Sequence, residues 1–454
     1  MISFRTSTSL LAVAATAVLA FSAPASATEG YFQNGYGARS KALAGAGVAD
    51  SRDATAGSLN PAGLVHVGDE LDVAFSVFSP RRQFTGTGAP NGFDFTAFGE
   101  HESGRDYFFL PNLAWSTRSF KNPLFDVMAF TMVGNGGMNT SYPTFPRPAP
   151  DCFGGGGAGA FCAGAGGVNM MQIFMSLAFA KQITPGISIG VAPIFALQSM
   201  DLRGLEPFAQ FSVDPANVSG SRNDWSMGGG VRAGIEISPM SNVRIGVSGT
   251  TPIWMQDFEK YSGVFAEGGG FDIPASIQAG IAVDVSRQLT LMLDWRYIWY
   301  SGVDSISNPS TNLFGCPSPL NGFVGNPANC LGGSNGPGFG WSDINVIKVA
   351  AEYRANDKLT LRAGYAWNEQ PISSRDVTFN VLAPAVTQHH ITGGFAYDIG
   401  NGYTLEMAAM FAPNTSVTGP ELSNPGHTVE IEMWQFDITA GVKYKWDEPS
   451  APLK

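Results

Sequence analysis

The stretch "LTLMLDWRYIW", residues 289–299, decides the fold. Taken two at a time, Leu289, Leu291, Leu293, Trp295, Tyr297 and Trp299 form one set, and Thr290, Met292, Asp294, Arg296 and Ile298 the other. Side chains alternate faces along a strand. One face is then apolar and crowned with aromatics, while the other carries an acid and a base. A soluble sheet would bury the first face in a protein core; a membrane barrel would turn it to lipid. Other stretches choose between the two.

The alternation recurs. In "LTLRAGYAWN" (359–368), Leu359, Leu361, Ala363, Tyr365 and Trp367 oppose Thr360, Arg362, Gly364 and Asn368. In "DINVIKVAAEYR" (343–354), Ile347, Val349, Ala351 and Tyr353 oppose Lys348, Ala350, Glu352 and Arg354. "WQFDITAGVKYKW" (434–446) sets Trp434, Phe436, Ile438, Ala440, Val442, Tyr444 and Trp446 against Asp437, Thr439, Lys443 and Lys445. At about 3.3 Å per residue and a tilt near 40°, Trp434 to Trp446 spans roughly 30 Å of height. Aromatics at both ends of such a stretch fit two interfacial girdles. The apolar face is read as meeting lipid and the charged face as lining a lumen.

Strand cores are expected over 69–79, 106–117, 123–134, 168–182, 186–202, 223–237, 242–259, 271–285, 288–303, 340–354, 358–372, 386–398, 402–415 and 428–446. Short connections alternate with long ones, as the periplasmic turns and outer loops of outer-membrane barrels do. The fold class is all-β, a transmembrane antiparallel barrel of about fourteen strands. Composition agrees. Aromatics reach 12%, while charged residues are only 14%, against about 25% in soluble domains. No 18-residue apolar run follows the N-terminus, so helical spans are not expected. A net charge of −11 argues against nucleic acid as a partner.

At the start of the chain, Arg5, the apolar run Leu10 to Phe21 and "ASA" at 25–27 form a secretory signal peptide, residues 1–27. Residues 28–68 precede the first strand. They are rich in Gly, Ala, Ser and Asp, too short for a domain, and suited to a plug, or hatch, inside the lumen. The barrel is expected over 69–446, and 447–454 as a C-terminal tail.

"GARSKALAGAGVADSRDATAGSLNPAGL" (37–64) resembles the N-terminal hatch of the FadL family, outer-membrane transporters of long-chain fatty acids and their aromatic-hydrocarbon relatives. The family's Asn-Pro-Ala element is matched by Asn60, Pro61 and Ala62, and its Gly/Ala-rich turn and acidic pair by Gly45, Gly47, Asp50 and Asp53. "FFLPNLAW" (108–115), residues 272–299 and "LTLRAGYAWNEQPI" (359–372) are similar to family strand signatures, so the resemblance covers nearly the whole mature chain. It departs at the end: Trp446 would be the terminal aromatic, but "DEPSAPLK" follows. The resemblance implies a fourteen-stranded barrel closed by the hatch and passive uptake of hydrophobic molecules across the outer membrane. The molecules would bind in the interior and leave sideways at a kink in the third strand. It also places Tyr31 and Phe32, near the mature N-terminus, at that interior site.

From the residues themselves, Arg296, Lys348 and Arg362 are the bases able to hold a fatty-acid carboxylate, since buried charges need partners. The alternative is a salt-bridged network that merely fills the lumen. Gly134, Gly136 and Gly137 in "MVGNGGM" mark a weakened third strand and a candidate lateral opening, or else the start of a long loop. Asn60 is expected against the wall beside that strand. Cys152 and Cys162 fall in one loop and Cys316 and Cys330 in another, and local pairing closes the shorter rings. Such bridges would either stiffen a binding groove or protect exposed loops.

"GISIG" (186–190) has the form of a nucleophile elbow, but Ser188 lies in an alternating strand without the strand-turn-helix context. Adjacent His389 and His390 face opposite ways and cannot easily share a metal. No catalytic residue, metal or cofactor is expected. The partners are a hydrophobic ligand and outer-membrane lipid, and the protein is expected to be a monomer. The rival readings are a structural or adhesive barrel and a membrane-embedded lipid hydrolase.

Overall fold

The protein is described by a computed structural model that covers residues 29–446, apart from 121, 153–154 and 221. The expected signal peptide and C-terminal tail lie outside the described residues.

Fourteen long strands run in chain order: β1 (Glu70–Gly88), β2 (Phe108–Thr117), β3 (Val127–Asn139), β4 (Gly167–Thr184), β5 (Ile187–Arg203), β6 (Asp224–Met240) and β7 (Val243–Thr250), then β8 (Ser276–Asp284), β9 (Leu289–Ile298), β10 (Ile344–Arg354), β11 (Leu359–Asn368), β12 (His389–Gly400), β13 (Tyr403–Pro420) and β14 (His427–Lys445). Each pairs antiparallel with the strand before and after it. β14 closes the ring on β1, in register from Glu70↔Lys445 to Gly88↔His427. Closure removes the exposed edges that lipid could not satisfy. Two short strands join the same sheet, Gly99–Glu102 beside β1 and Trp254–Met255 beside β6.

The opening stretch sorts as its alternation requires. On β9, Leu291, Leu293 and Trp295 are 44%, 50% and 39% exposed, whereas Thr290, Met292 and Asp294 are 5%, 3% and 1%. Ile347, Val349, Leu361, Trp434, Ile438 and Val442 likewise face outward, and Lys348, Glu352, Arg362, Asp437 and Lys443 are buried within. Exposed large apolar residues come from every long strand but β3 and β8. Exposed apolar side chains on twelve of the fourteen strands are not a soluble surface. Among the described residues no helix is long and apolar enough to cross a membrane, so crossing falls to the strands.

Several boundaries differ from the sequence expectation. β1 continues to Gly88 and β13 to Pro420, where it still pairs with Thr428 of β14. These extensions are polar and glycine-rich, so they carry no apolar alternation, yet backbone pairing continues above the lipid. β7 stops at Thr250, ahead of Pro252, which has no N–H to donate. β9 ends at Ile298 and gives way to a 3-10 turn at Tyr300–Gly302. β3 runs on to Asn139, so Gly134, Gly136 and Gly137 lie within the strand, not in the loop after it.

Residues 29–68 pack against the inward-facing side chains. They form helix α1 (Gly37–Ala42) and two 3-10 turns, Ala54–Ser58 and Pro61–His66. Asp53 caps the first turn, accepting from Thr55 N. Asn60 caps the second, accepting from Ala62 N, with Pro61 at the first helical position, where its missing N–H costs nothing. Small residues let this backbone lie against the strands without filling the space with side chains.

Candidate functional site

Glu29 is fully buried and sits between two of the candidate bases. Arg296 Nη1 lies 2.8 Å from its Oε2, and Lys348 Nζ 2.7 Å from its Oε1. Lys348 Nζ also donates to Asn34 O at 3.1 Å. The third base, Arg362, is engaged elsewhere, with Glu352 at 2.8 Å and Glu406 at 2.9 Å. Glu352 in turn meets Arg39 of α1 at 3.0 Å, and Arg39 meets Asp50 at 2.6 Å. Asp294 Oδ2 accepts from the backbone N–H groups of Gly47 and Val48, each at 2.9 Å. Lys41 is held by Asp437 at 2.8 Å. The lumen charges are therefore matched mostly to groups of residues 29–68.

Tyr31 and Phe32 lie beside Glu29, 1% and 3% exposed. Their rings stack at 4.9 Å, and Tyr31 also meets Tyr300 at 5.7 Å and Trp341 at 6.1 Å. The Arg296 guanidinium stands 5.0 Å from the Phe32 ring centre, a cation–π distance. A cavity of about 30 Å³ adjoins them, lined in part by Tyr31, Gly137, Met138, Trp341 and Met433. An apolar cavity that accepts benzene is about 150 Å³, so a molecule of that size does not fit beside these rings as they stand.

The same peptide reaches β3. β2 and β3 pair from Thr117↔Met128 to Asn112↔Val133 and then part. Beyond that point β3 pairs with β4 alone, with a bulge between Gly134 and Gly136. Its freed edge is taken by the N-terminal peptide: Phe32 bridges Gly136, Gln33 N donates to Asn135 O at 3.0 Å, and Gly137 N donates to Tyr31 O at 3.2 Å. Gln33 Nε2 donates to Gly134 O at 2.8 Å and Tyr36 Oη to Asn135 Oδ1 at 2.6 Å. A Cβ on Gly136 would run into Tyr31 O, so this approach requires glycine.

Asn60, Pro61 and Ala62 are not beside β3, which corrects the sequence expectation. Asn60 Nδ2 donates to Val48 O at 2.7 Å and to Ile235 O of β6 at 3.2 Å. A Cβ on Gly190 of β5 would strike Ala62 N and Pro61 C, and one on Gly234 of β6 would strike Asn60 Oδ1. Glycines on two neighbouring strands make the notch that this turn occupies. β3 is touched instead by Ser58, whose Oγ donates to Thr131 Oγ1 at 2.7 Å.

Cys152 bonds to Cys162 and Cys316 to Cys330. Both bridges lie in loops above the barrel, away from Glu29. Sequence reasoning missed Glu29, Asn135, Tyr300 and Trp341. Only the nearness of Glu29 to the expected mature N-terminus could have drawn attention to it.

The family described as outer membrane protein transport protein (OMPP1/FadL/TodX) matches residues 16–421. The fold is similar to that of the Pseudomonas putida toluene transporter TodX, at 16% identity and a TM-score of 0.64, covering 91% of this chain and 99% of that one. A Pseudomonas aeruginosa FadL homologue is similar at 13% identity and a TM-score of 0.63, over 92% and 100%. The Ralstonia pickettii toluene transporter TbuX follows at 16% and 0.58, over 91% and 99%. No curated protein matches the sequence.

Proposed function

The chain belongs to the OMPP1/FadL/TodX family of outer-membrane barrels that transport hydrophobic compounds and are not enzymes, and on that premise we propose that it passes uncharged hydrophobic molecules inward. Residues 28–68 act as the hatch. The ligand displaces Tyr31 and Phe32 from Tyr300 and Trp341, and leaves sideways where β2 and β3 part. No energy source is needed, because the molecule gains about 25 cal/mol for each Å² it removes from water.

The observation that carries the choice of an uncharged ligand is the occupancy of the bases. Glu29 already engages both Arg296 and Lys348, and Glu352 and Glu406 engage Arg362. A hydrocarbon leaves these pairs untouched. A fatty acid needs its carboxylate to replace that of Glu29, which is the second reading and makes the same pair its headgroup site. The sideways route is supported by the stretch of β3 that β2 does not pair, since a continuous strand pair would seal the wall.

Cells expressing the protein should take up radiolabelled toluene several-fold faster than cells lacking it, with a smaller gain for oleate. Equal uptake of both in the presence and absence of the protein, at verified surface levels, would end this reading. A gain for oleate alone would establish the second.

A further inference from the structure

Far above the lumen, Asp94, Glu421 and His427 each place a potential ligand atom within 4.8 Å of the other two. We propose that these three side chains form a binding site for a divalent transition-metal cation, zinc in character, that ties the first outer loop to the last. The proposal is independent of what the barrel transports.

All three residues are buried, at 0%, 1% and 0% exposure. Among the described residues Asp94 has no ion-pair partner but His427, whose Nδ1 is 3.3 Å from Asp94 Oδ1, and Glu421 has none. The nearby Arg147 does not supply the missing charge. It pairs with Asp151 at 2.6 Å and spends its remaining N–H groups on the carbonyls of Asp94, Phe95, Thr96 and Ala160. Two carboxylates thus share a buried pocket with one imidazole, and buried charges without partners are costly. A cation would complete the pocket.

The donors are already oriented. Nε2 of His427 makes no hydrogen bond and Nδ1 has only its 3.3 Å approach to Asp94, although the ring is fully buried. Phe98 stacks on it at 3.8 Å and fixes its plane. Asn424 Nδ2 donates to Asp94 Oδ1 at 2.7 Å and Asn91 N to Asp94 Oδ2 at 3.0 Å, leaving each oxygen a free lone pair. Glu421 Oε1 accepts only Phe95 N, at 3.0 Å. Such outer partners are what aim metal ligands. One imidazole and two carboxylates suit zinc better than calcium, which takes oxygen alone. Asn91, Pro425 and Gly426 are exposed at the rim, so the path from solvent is short.

The test is equilibrium dialysis of the detergent-solubilised full-length protein, free of any polyhistidine tag and stripped with chelator, against zinc alone. One zinc per chain is expected. His427→Ala should weaken binding at least tenfold, whereas His389→Ala, on the outer face of β12, should not. Cobalt added to the unaltered protein should give the absorption of a low-symmetry site, which keeps the test valid if the variant fails to fold. No stoichiometric zinc, zinc retained in full by a folded His427→Ala protein, or calcium bound in preference to zinc would each overturn the proposal.

Discussion

At the scale of single residues, Glu29 and Asn60 matter most. Glu29 is a carboxylate supplied by the chain to its own pair of bases. Removing one partner of a buried charge set commonly costs about 3–5 kcal/mol. Glu29→Gln should therefore loosen the N-terminal peptide and leave Arg296 and Lys348 in want of an anion. Oleate binding, followed by displacement of a fluorescent probe in detergent, should tighten at least fivefold, while toluene binding stays within twofold. Unchanged oleate affinity would show that the pair serves only to hold the peptide. Asn60 acts through its cap and through the carbonyls of Val48 and Ile235. Losing such a cap costs about 1 kcal/mol, so Asn60→Ala should be mild. Gly234→Ala should be harsher, because its methyl group takes the place of Asn60 Oδ1. The variant should keep a heat-modifiable barrel yet expose residues 48–62 to protease. Protection equal to the parent protein would refute the notch.

At the scale of elements, β3 separates two effects that its glycines combine. A Cβ on Gly134 would meet Gln33 Nε2 at 3.4 Å and Leu110 Cδ2 at 3.5 Å, ordinary contacts. Gly134→Val should thus be tolerated, stiffen the strand and narrow the space beside β2. Uptake should fall severalfold while binding in detergent persists. Gly136→Ala should do the reverse, expelling Tyr31 from the strand edge and raising uptake of a hydrophobic dye. Both effects are read in one uptake assay, and equal signs would contradict the assignment. The strands themselves were legible because lipid on one side and charge on the other impose a period of two. Every one of the fourteen expected cores overlaps an observed strand. The extensions of β1 and β13 were not legible, since above the bilayer neither face is constrained to be apolar. The place of Asn60 was not legible either. It depends on Gly190 and Gly234, which are far apart in sequence and become neighbours only through the pairing of β5 with β6. Nor could alternation reveal Tyr300 and Trp341, which lie outside the strands.

At the scale of the whole molecule, one face of the sheet is given to lipid, residues 29–68 pack against the inward-facing side chains, and β2 and β3 part beyond the Asn112–Val133 pair. The three arrangements depend on one another. A closed ring satisfies the backbone in the membrane, and the break in it is tolerable because Tyr31, Phe32 and Gln33 satisfy the freed edge of β3. On the proposed route, the peptide that shuts the interior site is also the peptide that closes the wall. The account holds that its withdrawal opens both, and that transport stops if it cannot withdraw. Gln33 and Asn135 stand opposite each other across that edge, next to the Phe32–Gly136 bridge. Replacing both with cysteine and oxidising the pair pins the peptide in place. Uptake of toluene by the cross-linked protein should fall at least tenfold and return on mild reduction, while the parent protein under the same treatment is unaffected. Undiminished uptake at complete cross-linking would contradict the central claim.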